Sequence, residues 1–381
     1  MSIGHPEAPP LILRPDHIHI EKSLGGCRNG SMPALPPVKK FVSSTGVRIY
    51  QIPCQVFEAL SASVYLLLGA GLPTLVDVGS GLGDSTRQIL AGLEAVHSAF
   101  GEPIRVGDIG RIIVSHGHSD HIGGLADLLK HAAAEVAVHA LDSWAIASHR
   151  EHVVLSNSRL DAFFERAGVD PARRAAMLKM SRYSGRQIEG VAIGLNLTDG
   201  QQLDGLRIIH TPGHSPGHVC IGVGDVLLSA DHILARTVPQ QWPESTAAHT
   251  GLGHYLESLD KIAKLPGVKL TLAAHEQLIH DVYGRIEAIR AAHVRRLDRL
   301  LDTLNRVARP LSVDEITRHL YPEVTGFRAV LAVTDVGSRV EYMHQRGRLV
   351  VANLDQVQSE ERTVHQYRLV PRGRQVSCAL A

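Results

Sequence analysis

The chain has 381 residues, 44% of them hydrophobic, with 35 glycines and a formal net charge of +1. That profile suits a globular α/β body with a second unit attached and exerts no general pull towards nucleic acid or membrane. Four cysteines, Cys27, Cys54, Cys220 and Cys378, lie scattered with no C-x-x-C pair, which argues against a disulfide framework; Cys54 and Cys220 read as small buried strand residues. The amino terminus lacks a charged start followed by an apolar core and no membrane span is visible, so the expected location is the cytoplasm.

Residues 1–45, with Pro9-Pro10, Gly25-Gly26 and the prolines from Pro33 to Pro37, read as an irregular extension that wraps the body or supports a homodimer. Strand-like segments follow at 48–54 and 63–69. The run Leu75-Val76-Asp77-Val78-Gly79-Ser80-Gly81 then enters a glycine-rich turn ahead of a helix expected over 84–99. A nucleotide or S-adenosylmethionine site would use such a turn. However, Asp84 stands where the dinucleotide pattern needs its third glycine, and no cofactor fold explains the His and Asp series downstream.

That series begins at His116-Gly117-His118-Ser119-Asp120-His121, directly after the apolar strand Ile112–Val114. An H-x-H-x-D-H cluster is hard to explain as packing, and the loop at the carboxyl end of a buried parallel strand is where open α/β sheets place ligands. Neutral imidazole and ionised carboxylate are donors for zinc, manganese or ferrous iron. A helix is expected over 122–134 and a strand at Val136–His139. A mostly helical insertion over about 142–190 then carries Phe163-Phe164, Met177, Met180 and Tyr183, as a lid over the site or as simple packing.

The strand-then-ligand grammar recurs three times. Leu206–Ile209 leads to His210 and His214, Val226–Ala230 leads to Asp231, and Leu270–Ala274 leads to His275. Over residues 46–283 the chain thus resembles the metallo-β-lactamase superfamily. The resemblance implies a four-layer αββα sandwich with His116, His118 and His214 holding one divalent metal ion, Asp120, His121 and His275 holding another, and Asp231 between them. Zinc is the expected metal, with Mn2+ or Fe2+ as alternatives. It also implies that Asp77 buttresses the metal loop and that His210, His218 and His232 support the ligands rather than bind metal. Glu276, where many relatives have glycine, is a supporting or an exposed residue. A metal-bridging hydroxide would then cleave a small carboxylic ester, thioester or lactone, with Asp120 orienting the nucleophile.

The segment 235–255 must pass close to such a site, and Trp242, His249 and Tyr255 are its candidate substrate contacts. Beyond residue 284 the character changes. A helical stripe through Leu297, Leu300, Leu301, Leu304 and Val307 ends at Pro310, a capping box at Ser312–Glu315 opens a short helix, and a third helix is expected near 326–345. Arg348–Ala352 and His365–Leu369 can pair as a hairpin, and this order resembles the winged-helix tail of one superfamily branch. Between Arg285 and Arg348 there are twelve arginines against eight acidic residues. A nuclease holding RNA or DNA with this tail is therefore the alternative function, although a dedicated reader carries a stronger basic face. A mononuclear-iron dioxygenase is a third reading, which leaves His121 and His275 without purpose.

Overall fold

The computed structural model describes residues 35–58, 60–183, 188–360 and 362–371; most of the amino-terminal extension, Cys27 and Cys378 lie outside them. Two β-sheets face each other. In the first the strands run in sequence order: β1 (Lys39–Val42), β2 (Arg48–Phe57), β3 (Leu60–Leu68), β4 (Thr74–Val76), β5 (Arg111–Ile113), β6 (Glu135–His139) and β7 (Leu195–Leu197). Pairing is antiparallel through β4 and parallel from β4 to β7. The second sheet has the order β12 (Leu270–Ala273), β11 (Val226–Ala230), β10 (Val219–Val223), β9 (Leu206–His210), β8 (Gln202–Leu203).

Alternation along the strands builds three apolar layers. Ile49, Tyr65, Leu67, Ile113 and Ala137 point between the sheets and meet Ile208, Ile221 and Leu228. The opposite face of the first sheet, with Ile52, Leu75 and Ile112, packs on helix α1 (Ser85–Phe100) through Ile89, Leu93 and Val96. On the outer face of the second sheet, Ile209, Cys220 and Leu227 meet helices α7 (Leu252–Ala263) and α8 (Val282–Val307). The result is the αββα sandwich. Strand β1 begins inside what the sequence suggested was irregular extension, because Lys39–Val42 pairs with Arg48–Gln51.

The helix expected over 122–134 is two short pieces, α2 (Ser119–Ile122) and α3 (Leu125–Leu128). Gly123 and Gly124 separate them because the backbone of the Asp77 turn presses in: a Cβ at Gly123 would lie 2.0 Å from the Ser80 carbonyl oxygen, and one at Gly124 2.2 Å from that of Val78. The glycine-rich turn therefore packs against the metal loop.

The insertion consists of α4 (Ala140–Ala147), α5 (His149–Arg166) and α6 (Pro171–Tyr183). The carboxyl-terminal elements are α8, α9 (Val313–Leu320), α10 (Phe327–Gln345), β13 (Leu349–Val351), α11 (Leu354–Ser359) and β14 (Tyr367–Leu369). Ser312 and Glu315 cap α9 reciprocally, as their spacing implies. No boundary separates this tail from the body: α8 runs through residue 284, and Phe163, Phe164, Leu227, Leu259, Leu300 and Val336 share one core. Nearly all of α10 from Ala329 to Met343 is buried. Arg339, a candidate phosphate contact if the tail held nucleic acid, is 2% exposed and ion-paired with Asp335.

Candidate metal centre and adjoining cavity

Every candidate metal ligand sits where a strand ends. β5 delivers His116 and His118, and the single turn of α2 raises Asp120 and His121 beside them. His214 follows β9. Asp231 follows β11, where a register shift and a positive φ of 44° at Ala230 swing the chain inward. His275 follows β12, and its loop is clamped to the first sheet by hydrogen bonds from Ser63 N to the Ala274 carbonyl (2.7 Å) and from Tyr65 Oη to the Ala273 carbonyl (2.5 Å).

These loops converge. Ligand atoms of His116, His118 and His214 lie within 4.8 Å of one another, as do those of Asp120, His121 and His275. Asp231 faces both groups: its Oδ2 is 3.6 Å from His214 Nε2, while its Oδ1 is 3.7 Å from His121 Nε2 and 3.5 Å from His275 Nε2. Asp120 Oδ2 approaches His275 Nε2 at 3.3 Å.

The opposite ring nitrogens are committed elsewhere, which fixes how each imidazole points. Nδ1 of His121 donates to Asp77 Oδ2 (2.8 Å), that of His214 to the Gln240 carbonyl (3.0 Å) and that of His275 to the Ser61 carbonyl (2.8 Å). His116 Nδ1 lies 3.1 Å from Ser115 Oγ, which leaves its Nε2 facing His118 Nδ1 at 2.9 Å within the ligand group. Orienting partners of this kind hold metal-binding imidazoles in one tautomer.

The donor set fits divalent metal. His121 Nε2, His214 Nε2 and Asp231 Oδ1 are buried without a hydrogen-bond partner, a costly arrangement for groups aimed at one point unless a cation meets them. Electrostatics agree. Burial lowers His116 well below its usual range and takes His118 to about 3, so both are neutral donors. Burial opposes the charged forms of Asp120 and Asp231, yet the neighbouring imidazoles hold Asp120 at about 2 and Asp231 also low. The same carboxylates raise His275, against its burial, to about 9. The two acids thus demand positive charge at this spot, which a divalent ion supplies.

Asp77, with φ of 61°, accepts from Ser115 N, Ser115 Oγ and His121 Nδ1, each at 2.8 Å, and is the buttress the sequence suggested. Asp142 was missed. Fully buried at the start of α4, it accepts from Gly117 N (2.8 Å), Ser215 Oγ (2.8 Å) and Gly217 N (2.7 Å), joining the His116–His121 loop to the His214 loop. His218 and His232 are buried behind the ligands, whereas His210 stacks on His139 at 3.9 Å and donates to the Pro216 carbonyl. Glu276 accepts from Arg236 N (2.6 Å) and Thr237 N, tying the loop after Asp231 to that of His275.

A cavity of about 440 Å3 opens from His118 and His214. Its walls come from α4 and α5 on one side and residues 242–250 on the other. Trp242 and His249, two of the candidate substrate contacts, line it. Tyr255 does not: it lies within α7, wholly buried, and donates to the His232 carbonyl at 2.9 Å, so substrate contact is replaced by a supporting position behind Asp231. The tail braces both walls from behind. Gln240 Nε2 donates to the Leu331 carbonyl (2.9 Å), and a Cβ at Gly337 would collide with Phe163 at 2.4 Å.

Two facing sheets with seven His and Asp side chains converging at their loop ends, beside a cavity, define a metal-dependent hydrolase. Residues 58–275 match the model of the metallo-beta-lactamase superfamily, and the chain belongs to it. It is 24% identical over 325 residues to the Beta-lactamase-like protein 2 homolog of Drosophila melanogaster, covering 84% of this chain and 94% of that one. To the atrochrysone carboxyl ACP thioesterase of Claviceps purpurea it is 25% identical, across 56% of this chain and 55% of the relative. Among solved structures, a metallo-beta-lactamase family protein of Thermus thermophilus superimposes with a TM-score of 0.66 and 25% identity, covering 84% of this chain and 98% of its own. A beta-lactamase domain protein of Burkholderia ambifaria gives the same TM-score at 20% identity, with 89% and 96% coverage.

Proposed function

We propose that the protein hydrolyses a small carboxylic ester, thioester or lactone with two divalent metal ions, zinc by preference, held by His116, His118 and His214, by Asp120, His121 and His275, and by Asp231 between them. The observation that carries this reading is the cavity. It is walled by Leu141, Trp144, Leu160 and Trp242 and ends at His118 and His214, so an apolar acyl body seated there would present its carbonyl to the metal centre. The thioesterase from Claviceps purpurea among its relatives supports an acyl substrate. Metal ions bound there would acidify a water and polarise the acyl oxygen.

The side chains supply position. Asp120, ionised at neutral pH, is an acceptor that can orient a water through its carboxylate. Asp77 and Asp142 fix the loops that carry the ligands. Helices α4 and α5 wall the acyl side, which supports a pocket role for the insertion beside packing. Burial of α10 weighs against the nuclease reading, since the helix that would enter a groove faces the core. The test is a parallel screen of thioester, lactone, aryl ester, bis-phosphodiester and single-stranded RNA with metal-loaded protein. Acyl substrates are expected to win; RNA cleavage abolished by His118→Ala, with no acyl turnover, would replace this reading with the nuclease.

A further inference from the structure

The cavity beside the metal centre carries an asymmetry of charge that bears on which acyl compounds enter it. Its walls contain two charged side chains, Asp142 and Arg159. Asp142 is spent on three hydrogen bonds within the protein. Arg159, on the exposed side of α5, forms no ion pair among the described residues; its guanidinium sits 6.0 Å from the centre of the Trp144 ring. Several other described arginines are ion-paired instead. Arg48, Arg87, Arg105, Arg111, Arg173 and Arg174 all meet carboxylates.

The aromatic distribution points the same way. The chain has two tryptophans, and both line this cavity, Trp144 from α4 and Trp242 from the loop after Asp231. Two indoles offer flat apolar contact, and a guanidinium resting near one of them presents a fork of donors for a carboxylate or phosphate. Polar groups of α5 and α6 inside the walls, Asn157 and Ser181, interact with each other at 3.4 Å.

Building on the proposed acyl hydrolysis, we propose that the substrate is amphipathic: a flat or extended apolar body lies between Trp144 and Trp242, and an anionic group on the same molecule pairs with Arg159. Arg159 is then a specificity-determining residue. The anion is either a carboxylate on the acyl part or a phosphate of the carrier that leaves; both meet the same guanidinium.

Because both tryptophans line the cavity, binding can be read by intrinsic fluorescence without any turnover. The metal-loaded protein is titrated with 2-naphthylacetate, with its neutral amide and with desulfo-coenzyme A, which carries carrier phosphates without a thiol. An anion paired with an exposed guanidinium should bind about fivefold more weakly in Arg159→Gln, and less so at high salt. The amide should be unaffected, and Trp144→Phe should remove part of the signal. Loss confined to 2-naphthylacetate places the anion on the acyl part; loss confined to desulfo-coenzyme A places it on the carrier. If Arg159→Gln changes neither anion, or weakens the amide equally, the proposal is overturned. Arg159-dependent binding together with an absence of acyl turnover would sink the proposed reaction and leave this site standing.

Discussion

Asp77 Oδ2 accepts a hydrogen bond from His121 Nδ1 at 2.8 Å, and its other contacts hold Ser115 N and Oγ, so one carboxylate sets both the start of the metal loop and the tautomer of its last imidazole. The backbone at Asp77 has φ of 61°, a conformation that asparagine also tolerates. Asp77→Asn therefore tests the charge without disturbing the turn. Affinity for the second metal ion should fall roughly 10- to 100-fold. Competition with a chromophoric chelator measures this, and unchanged affinity would show that Asp77 only shapes the loop.

Asp142 links the two ligand loops, and its burial raises the pKa while three donors oppose that rise. Asp142→Ala leaves the Gly117 and Gly217 amides and the Ser215 hydroxyl without their acceptor. Unsatisfied buried groups cost about 1–3 kcal/mol each, and the His118–His214 spacing loosens with them. Activity at saturating metal should drop more than thermal stability does; full activity in the variant would exclude the linking role.

Arg339 discriminates between the two accounts of the tail. As one partner of a buried ion pair, its replacement by alanine strands Asp335 and should destabilise the protein by about 3–5 kcal/mol. Urea unfolding measures the loss. A stable variant with weakened, salt-sensitive binding of nucleic acid would instead support the nuclease.

Glu102 gives a pH dependence far from the metals. Buried, which by itself would raise its pKa, it is brought below the ordinary 4.5 by hydrogen bonds from Tyr50 and Arg48, with Lys40 adding to them. The folded value lies under the unfolded one. The cluster therefore contributes fully above about pH 4.5 and is lost as pH falls through the lowered folded value. Glu102→Gln should flatten the acid limb of stability between about pH 5 and about pH 3, where carboxylates of folded proteins ordinarily titrate; an unchanged limb would assign it to other groups.

Much of the site was legible because its chemistry follows strand ends. Each of Ile112–Val114, Leu206–Ile209, Val226–Ala230 and Leu270–Ala274 is an apolar run feeding a loop with His or Asp, and the structure brings those side chains together. Asp142 obeys the same rule, three residues beyond the end of β6, yet a lone Asp opening a helix carries no spacing signal of its own. The break at Gly123-Gly124 was not legible either, since what forbids a side chain there is the backbone of the Asp77 turn, remote in sequence. Tyr255 was misplaced for a similar reason: α7 already begins at Leu252, and Tyr255 falls on the face of that helix that packs into the core. In the tail, the helical stripe and the capping box fixed the elements, but periodicity does not say what a buried face packs against, and α10 is buried nearly all round.

The central claim is a two-metal centre joined by Asp231, and metal content tests it most directly. Protein purified without chelator is analysed by elemental mass spectrometry beside Asp231→Ala. The account predicts about two divalent ions per chain, mainly zinc, as a two-metal hydrolase requires, and impaired occupancy of both positions in the variant, because the two oxygens of Asp231 face different ligand groups. A single firmly held iron in the native protein, with oxygen consumed on a persulfide, would contradict it.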